Sequence, residues 1–129
     1  GTSKTARAVC EDLGASEILT VSRSLGKGLI SYNDAITAHT DSKIIINTTP
    51  SGMFPNIEDS PIDISPFLYL EGVVDAVYNP LRTNLVLDAK ERGIAADGGL
   101  YMLVMQAVVA VEKFLDAEIS KQANFFPVF

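Results

Sequence analysis

A chain of 129 residues is long enough for one domain with its own core, and its 47% hydrophobic content argues against disorder. The formal net charge of -6 argues against nucleic acid or an anionic membrane as the main partner and leaves a small-molecule site as the open possibility. The single cysteine, Cys10, cannot form an internal disulfide, no apolar run approaches the ~20 residues of a membrane span, and no signal-peptide pattern opens the chain, so the expected setting is the cytoplasm.

The opening, "GTSKTARAV", reads as the end of a phosphate loop running into a helix over residues 2–13, with Thr2 or Ser3 able to cap it and Gly14 ending it. Ala6, Val9, Cys10 and Leu13 fall at helical spacing, which makes Cys10 a core thiol and not a nucleophile. Residues 18–21, within "EILTVSRS", predict a short buried strand. "SYNDAITA", 31–38, predicts a short helix, and "KIIINTT" a second buried strand. His39, in "TAHTD", reads as a loop histidine with no metal-ligand cluster beside it. "PSGMFPNIEDSP" is a loop by its Pro, Gly and Asn content, and the acids of "EDSPID", 58–63, read as a solvated loop.

"GVVDAVYNP" predicts a third strand, stopped by Pro80. "TNLVLDAKERG" predicts a helix capped by Thr83 with Gly93 beyond its end. "IAADGG" allows one more short strand or turn. A long helix is expected over about 100–119, where Leu100, Leu103, Val104, Ala107, Val108, Val111, Phe114 and Leu115 follow the 3-4 spacing. The tail, 120–129, has no clear pattern. Strands apolar on both faces, alternating with helices, imply an α/β domain with a doubly wound parallel sheet.

In such a fold a glycine loop after the first strand carries the cofactor pyrophosphate to a helix N-terminus, where free N–H groups and the helix dipole favour anions. Gly1, Thr2 and Ser3 fit the last piece of such a loop, although a lone glycine equally fits a plain surface start. The ribose-reading position lies roughly 20 residues further on. Here it is "VSRS", which has no acid but carries Ser22, Arg23 and Ser24, with Lys27 close by. A guanidinium with hydroxyls suits a 2′-phosphate, and hence NADP. The competing reading is a solvated arginine after a strand.

"INTTPSGM", "VVDAVYNPLRT", "AKERG" and "DGGLYMLVMQAV", in this order, resemble the C-terminal half of shikimate dehydrogenase, from Gly1 to about Leu115. The resemblance implies a Rossmann-like domain over 1–129 whose first strand, most of whose glycine loop and whose N-terminal substrate domain precede Gly1. The family's catalytic lysine and aspartate belong to that preceding part. No residue here takes their place, so the chain alone is expected to be inactive. The parent would reduce 3-dehydroshikimate to shikimate with NADPH, in the route to the aromatic amino acids.

Position by position, Gly1, Thr2, Ser3 and Lys4 match the phosphate loop and the start of its helix. Ser22, Arg23 and Ser24 match an Asn-Arg-Thr motif at the adenine ribose, and Lys27 a second phosphate-binding position. Thr48 and Thr49 match a loop beside the cofactor. Ala76 and Gly99 match backbone contacts to the nicotinamide, with Met102 packing nearby. Tyr78 and Gln106 match substrate-facing positions. Gly98-Gly99 before a helix also permits close backbone approach on general grounds. An amide on an otherwise apolar helix can bond a polyol, though Gln106 could equally be bonded in the core.

Asp75 reads as a structural hydrogen-bonding residue, not an acid catalyst. Three functions stay open: a shikimate or quinate/shikimate dehydrogenase domain, an NADP-binding module without turnover, and a purely structural segment. Without a strand between "ILTV" and "KIIIN", their free edges are expected either to close on each other, or to recruit a second copy or another segment such as the tail "FFPVF", leaving NADP binding weak or absent.

Overall fold

The computed structural model describes residues 2–99. Its elements are α1 (Thr2–Asp12), β1 (Thr20–Val21), β2 (Leu29–Ile30), α2 (Tyr32–Ala38), β3 (Ile44–Asn47), β4 (Gly72–Asp75), α3 (Asn84–Glu91) and β5 (Ala95–Asp97). Every strand pair is parallel, as the alternation of strands and helices requires. The strands form two sheets, β1-β2 and β3-β4-β5. Among the described residues no ladder joins them, so the expected closure of the "ILTV" edge on "KIIIN" does not occur. The long helix, Met102, Gln106 and the tail lie outside the described residues, as does Gly1.

The register explains the core. Ile45, Val73 and Ala96 are neighbours across the three strands, so they share one face. That face meets α3, whose Leu85, Val86 and Ala89 are buried. Ile64, Phe67 and Leu70, from the 61–70 loop, complete the cluster. Each fully buried branched side chain here contributes on the order of 1.5–3 kcal/mol. The guanidinium of Arg92, just past α3, ties this loop down by donating to the carbonyls of Ile64 and Phe67. The opposite face of the sheet carries Ile44, Gly72, Val74, Ala95 and Asp97 around a shallow depression. No described helix covers it.

Three expectations need correction. The predicted strand over 18–21 keeps only Thr20–Val21, and β2 was not foreseen, because its two residues, just past Gly26 and Gly28, are too few to show a period. Thr2 and Ser3 lie inside α1, so neither is its cap. The apolar stripe of α1 is not core: the helix buries no residue, Leu13 is 81% exposed, and Cys10 is half-buried. The two-stranded sheet beside it is too small to cover that stripe. The other helices follow their sequence signals. Ser31 caps α2 by accepting from the Asp34 amide, and Thr83 caps α3 by accepting from the Val86 amide. Gly93 takes the left-handed conformation, φ 75°, just past the end of α3.

The 61–70 loop contains a titratable turn. Asp63 accepts from the Ser65 amide at 2.9 Å and from the Ser65 hydroxyl at 2.9 Å. The amide first, then the hydroxyl, and then the Arg92 charge hold its carboxyl below the ordinary value of 3.8. A depressed carboxylate contributes stability above its unfolded pKa and loses it as pH falls through the folded one. Ser65→Ala should therefore raise the Asp63 midpoint in an NMR carboxyl titration and lessen the loss of stability below about pH 4. An unmoved midpoint would show that the Ser65 hydroxyl does not hold this carboxylate.

Candidate functional site

Three strand ends are finished in the same way. After β1, the Ser22 hydroxyl accepts from the Ser24 amide at 3.2 Å. At the end of β3, Asn47 Oδ1 accepts from the Thr49 amide at 3.0 Å. At the end of β4, Asp75 Oδ1 accepts from the Val77 amide at 3.0 Å. Each is a turn in which a side chain bonds the backbone two residues on, replacing the ladder bond that the chain loses as it leaves the sheet. Their middle residues are Arg23, Thr48 and Ala76. All three turns stand at the carboxyl ends of parallel strands, where open α/β sheets bind ligands.

Asn47 and Asp75 are the last register pair of β3 and β4, and both point to the α3 side. Asp75 is 0% exposed. Its Oδ1 also accepts from Asn47 Nδ2 at 2.9 Å, and its Oδ2 accepts from Thr83 Oγ1 at 2.6 Å. Thr83 Oγ1 in turn accepts from the Val86 amide, so one carboxylate links β3, β4 and the cap of α3. Asn47 Oδ1 also takes the Thr49 hydroxyl at 2.6 Å, while its Nδ2 reaches the carbonyls of Thr49 and Ser51. Asp75 is thus a buried hydrogen-bonding hub, as its sequence context implies. Asn47 was not singled out by sequence. The signal available for it was the switch from apolar to polar at the last inward position of "KIIIN".

Beyond β4 the backbone is crowded. A Cβ built on Gly99 would run into the Ala76 carbonyl oxygen and lie 2.7 Å from the Ala76 carbonyl carbon and 2.9 Å from that of Val77. The Gly99 amide donates to the Val77 carbonyl at 2.9 Å. Only glycine fits this approach, so Ala76 and Gly99, singled out separately by sequence, are brought into contact. Tyr78 follows, 52% exposed, and the Asn79 carbonyl after it accepts from the Phe54 amide at 2.8 Å.

The remaining candidates divide by what their polar atoms already do. The Thr49 hydroxyl is spent inside the loop: it donates to Asn47 and accepts from the Ser51 amide at 3.3 Å. The Thr48 hydroxyl has no partner among the described residues. Arg23 and Lys27 are exposed and form no ion pair among the described residues, and the Ser22 hydroxyl keeps its proton for a further acceptor. Thr2, Ser3 and Lys4 are exposed on the first turn of α1. Arg7, which sequence reasoning passed over, donates from α1 to the Thr20 hydroxyl at 3.2 Å and so fastens this helix to β1. His39 is half-buried at the end of α2, its carbonyl accepting from Ser42.

Two substitutions test this geometry. Asp75→Ala takes the acceptor from three donors and leaves the Val77 amide and the Thr83 hydroxyl unanswered, at about 1–3 kcal/mol each, and should lower unfolding free energy by roughly 3 kcal/mol or more; Asp75→Asn turns one acceptor into a donor facing donors and should recover only part. Gly99→Ala should cost about 1–3 kcal/mol through backbone displacement. Urea unfolding read by circular dichroism measures both. A near-neutral Asp75→Ala would mean that water replaces the carboxylate.

No protein-family model matches the chain. Individual relatives do. The shikimate dehydrogenase (NADP(+)) of Crocosphaera subtropica is 34% identical over 93% of this chain and 50% of its own length. That of Caldicellulosiruptor bescii is 51% identical over 52% of this chain and 24% of its own. Among solved structures, a chorismate mutase/shikimate 5-dehydrogenase fusion protein from Clostridium acetobutylicum superimposes with a TM-score of 0.81 at 35% identity, covering 92% of this chain and 45% of that one. A shikimate dehydrogenase in complex with NADP+ matches with a TM-score of 0.52 at 41% identity over 59% of this chain and 27% of its own. The α/β fold with parallel strands therefore matches the Rossmann-like domain of these enzymes. The chain is a shikimate dehydrogenase homologue that spans about half the length of the curated relatives it matches.

Proposed function

We propose that this chain is the NADP-binding domain of a shikimate dehydrogenase, whose whole enzyme interconverts 3-dehydroshikimate and shikimate with NADPH. The observation that carries the reading is the set of three strand-end turns. They present Arg23, Thr48 and Ala76, three positions that the family resemblance had assigned to the cofactor, along one end of the parallel strands.

The residues present fit that cofactor. Ser22, Arg23 and Ser24, with Lys27, offer hydroxyl and cationic donors not engaged in ion pairs among the described residues, and no acid competes in "VSRS". That set suits the 2′-phosphate, through charge-assisted bonds. Gly1, Thr2, Ser3 and Lys4 would take the pyrophosphate at the start of α1. Thr48 would offer a hydroxyl beside it that has no partner among the described residues, with Thr49 holding the loop. Ala76 and Gly99 would flank the nicotinamide with backbone alone, and Met102, on the chain beyond Gly99, would pack against it. When bound, the cofactor supplies the hydride, and the chain's own residues place it. Tyr78, exposed beyond Ala76, and Gln106 would face the substrate.

A second reading, an NADP-binding module without turnover, is favoured by one observation. Asp75 has its oxygens engaged by three donors and offers no group for proton transfer. General acid help is worth about 10²–10⁴-fold in such a reduction. Turnover would then require groups from outside this chain, including those that separate shikimate from quinate. A cytoplasmic setting accords with the lone half-buried Cys10 and with the absence, among the described residues, of any helix long and apolar enough to cross a membrane. Among the described residues β1 and β3 stand at sheet edges, which offer a route to self-association.

The test is cofactor discrimination. NADP should be preferred over NAD about tenfold or more, because one charge-assisted contact contributes roughly 1.5–3 kcal/mol. Arg23→Ala should weaken NADP and 2′,5′-ADP while leaving NAD nearly unchanged, by calorimetry or NMR titration. Equal losses for NADP and NAD would remove Arg23 from the 2′-phosphate. NADPH oxidation by this chain alone with 3-dehydroshikimate would rule out the module reading.

A further inference from the structure

Asn47 and Asp75 stand directly opposite each other at the last rung of β3 and β4, and each then bonds the amide two residues further along its own chain. The two turns are joined side chain to side chain by the bond from Asn47 Nδ2 to Asp75 Oδ1. The Ala76 amide donates to the Asn47 carbonyl at 2.9 Å and closes the β3–β4 ladder. The link between the two turns at this last rung is therefore made by two buried side chains. Asn47 is 4% exposed and Asp75 0%.

We infer that the Asn47–Asp75 pair is a positioning device for the nicotinamide half of the cofactor: it fixes where Thr48 and Ala76 stand without touching the cofactor itself. The inference rests on the cofactor reading proposed above. Asn47 is the residue through which the device can be taken apart. Its amide spans the gap in one direction only, with Nδ2 toward Asp75 and Oδ1 toward Thr49, because a carboxylate oxygen cannot donate and an N–H cannot accept. A serine at this position can still accept from the Thr49 amide, as Ser22 does from Ser24, but it is too short to span to Asp75. Asn47→Ser thus keeps the turn and cuts the link between the turns. The adenine end is held separately, by the Ser22 turn on the other sheet. A fault confined to the link between Asn47 and Asp75 should leave that end intact, whereas general loss of folding would damage both.

The experiment is an amide NMR titration of this chain with NADP, which reads weak binding residue by residue, and with 2′,5′-ADP as a probe of the adenine end alone. In the wild-type chain NADP should shift the amides of residues 22–24 and those of Thr48 and Ala76, while 2′,5′-ADP shifts only the first group. In Asn47→Ser the first group should respond to NADP as before, and the response at Thr48 and Ala76 should be lost. If both groups respond as in the wild type, or if both are lost together in a folded variant, the pair has no positioning role. Should Asn47→Ser fail to fold, Thr49→Val decides: it removes the hydroxyl that donates to Asn47 Oδ1 and accepts from the Ser51 amide, and it should diminish the Thr48 response while leaving Ala76 responsive. An unchanged Thr48 response there overturns the inference. A wild-type chain in which NADP shifts residues 22–24 but neither Thr48 nor Ala76 overturns the inference alone. One in which it shifts neither group overturns the cofactor reading, and the positioning role with it.

Discussion

One buried carboxylate holds the carboxyl-terminal end of the three-stranded sheet together. Asp75 has no exposed surface, and its two oxygens accept from Asn47, Val77 and Thr83. Those donors belong to three different segments: the end of β3, the chain leaving β4 and the cap of α3. A carboxylate deprived of water is tolerable only where donors replace it, and here they do. The arrangement also explains why Thr83 serves two ends at once. Its hydroxyl donates to Asp75 and accepts from the Val86 amide, so the start of α3 is anchored to the sheet it covers.

The position of that carboxylate follows from the pleat. On the inward face of β3 the order is Ile45 then Asn47, and on β4 it is Val73 then Asp75. The same face is apolar where α3 packs and polar one step later, where packing stops and turns begin. An apolar side chain at the last rung would leave the amides of Thr49 and Val77 unpaired. Asn and Asp instead end the strand and cap the turn with a single group. The cost is specificity of orientation, since the amide of Asn47 must point its N–H₂ at Asp75. That constraint turns two adjacent strand ends into one unit.

The parts of this fold legible in the sequence were those carried by local rules. The cap residues Ser31 and Thr83, the strands in "KIIIN" and "GVVD", and the close approach at Gly98-Gly99 can all be read from residue type and spacing. What was not legible depended on neighbours distant in sequence. Val9 and Leu13 have the spacing of a core stripe, yet they are exposed, because periodicity announces a face but not what covers it. β2 escaped notice because two residues carry no period at all. Asn47 was passed over although it lies inside a recognised motif: its role depends on Asp75, 28 residues away. Thr49 shows the reverse case, a residue matched to the cofactor whose hydroxyl is committed inside its own loop.

The separation into two sheets gives the candidate site its character. Arg23 and its turn are fastened to β1, which pairs only with β2 among the described residues, and to α1 through the bond from Arg7 to Thr20. Thr48, Ala76 and Gly99 belong to the other sheet and share its buried network. An elongated ligand reading both ends would therefore span two separately bonded bodies, and its affinity would depend on how firmly they are held relative to each other. Each end can be sound by itself while the whole binds poorly. The end built on Asp75 has a packed core beneath it, with Leu85 and Val73 each 1% exposed, whereas α1 buries nothing. Any segment or ligand that joins the two sheets would stabilise the weaker one first, since the side with the least burial has the most order to gain.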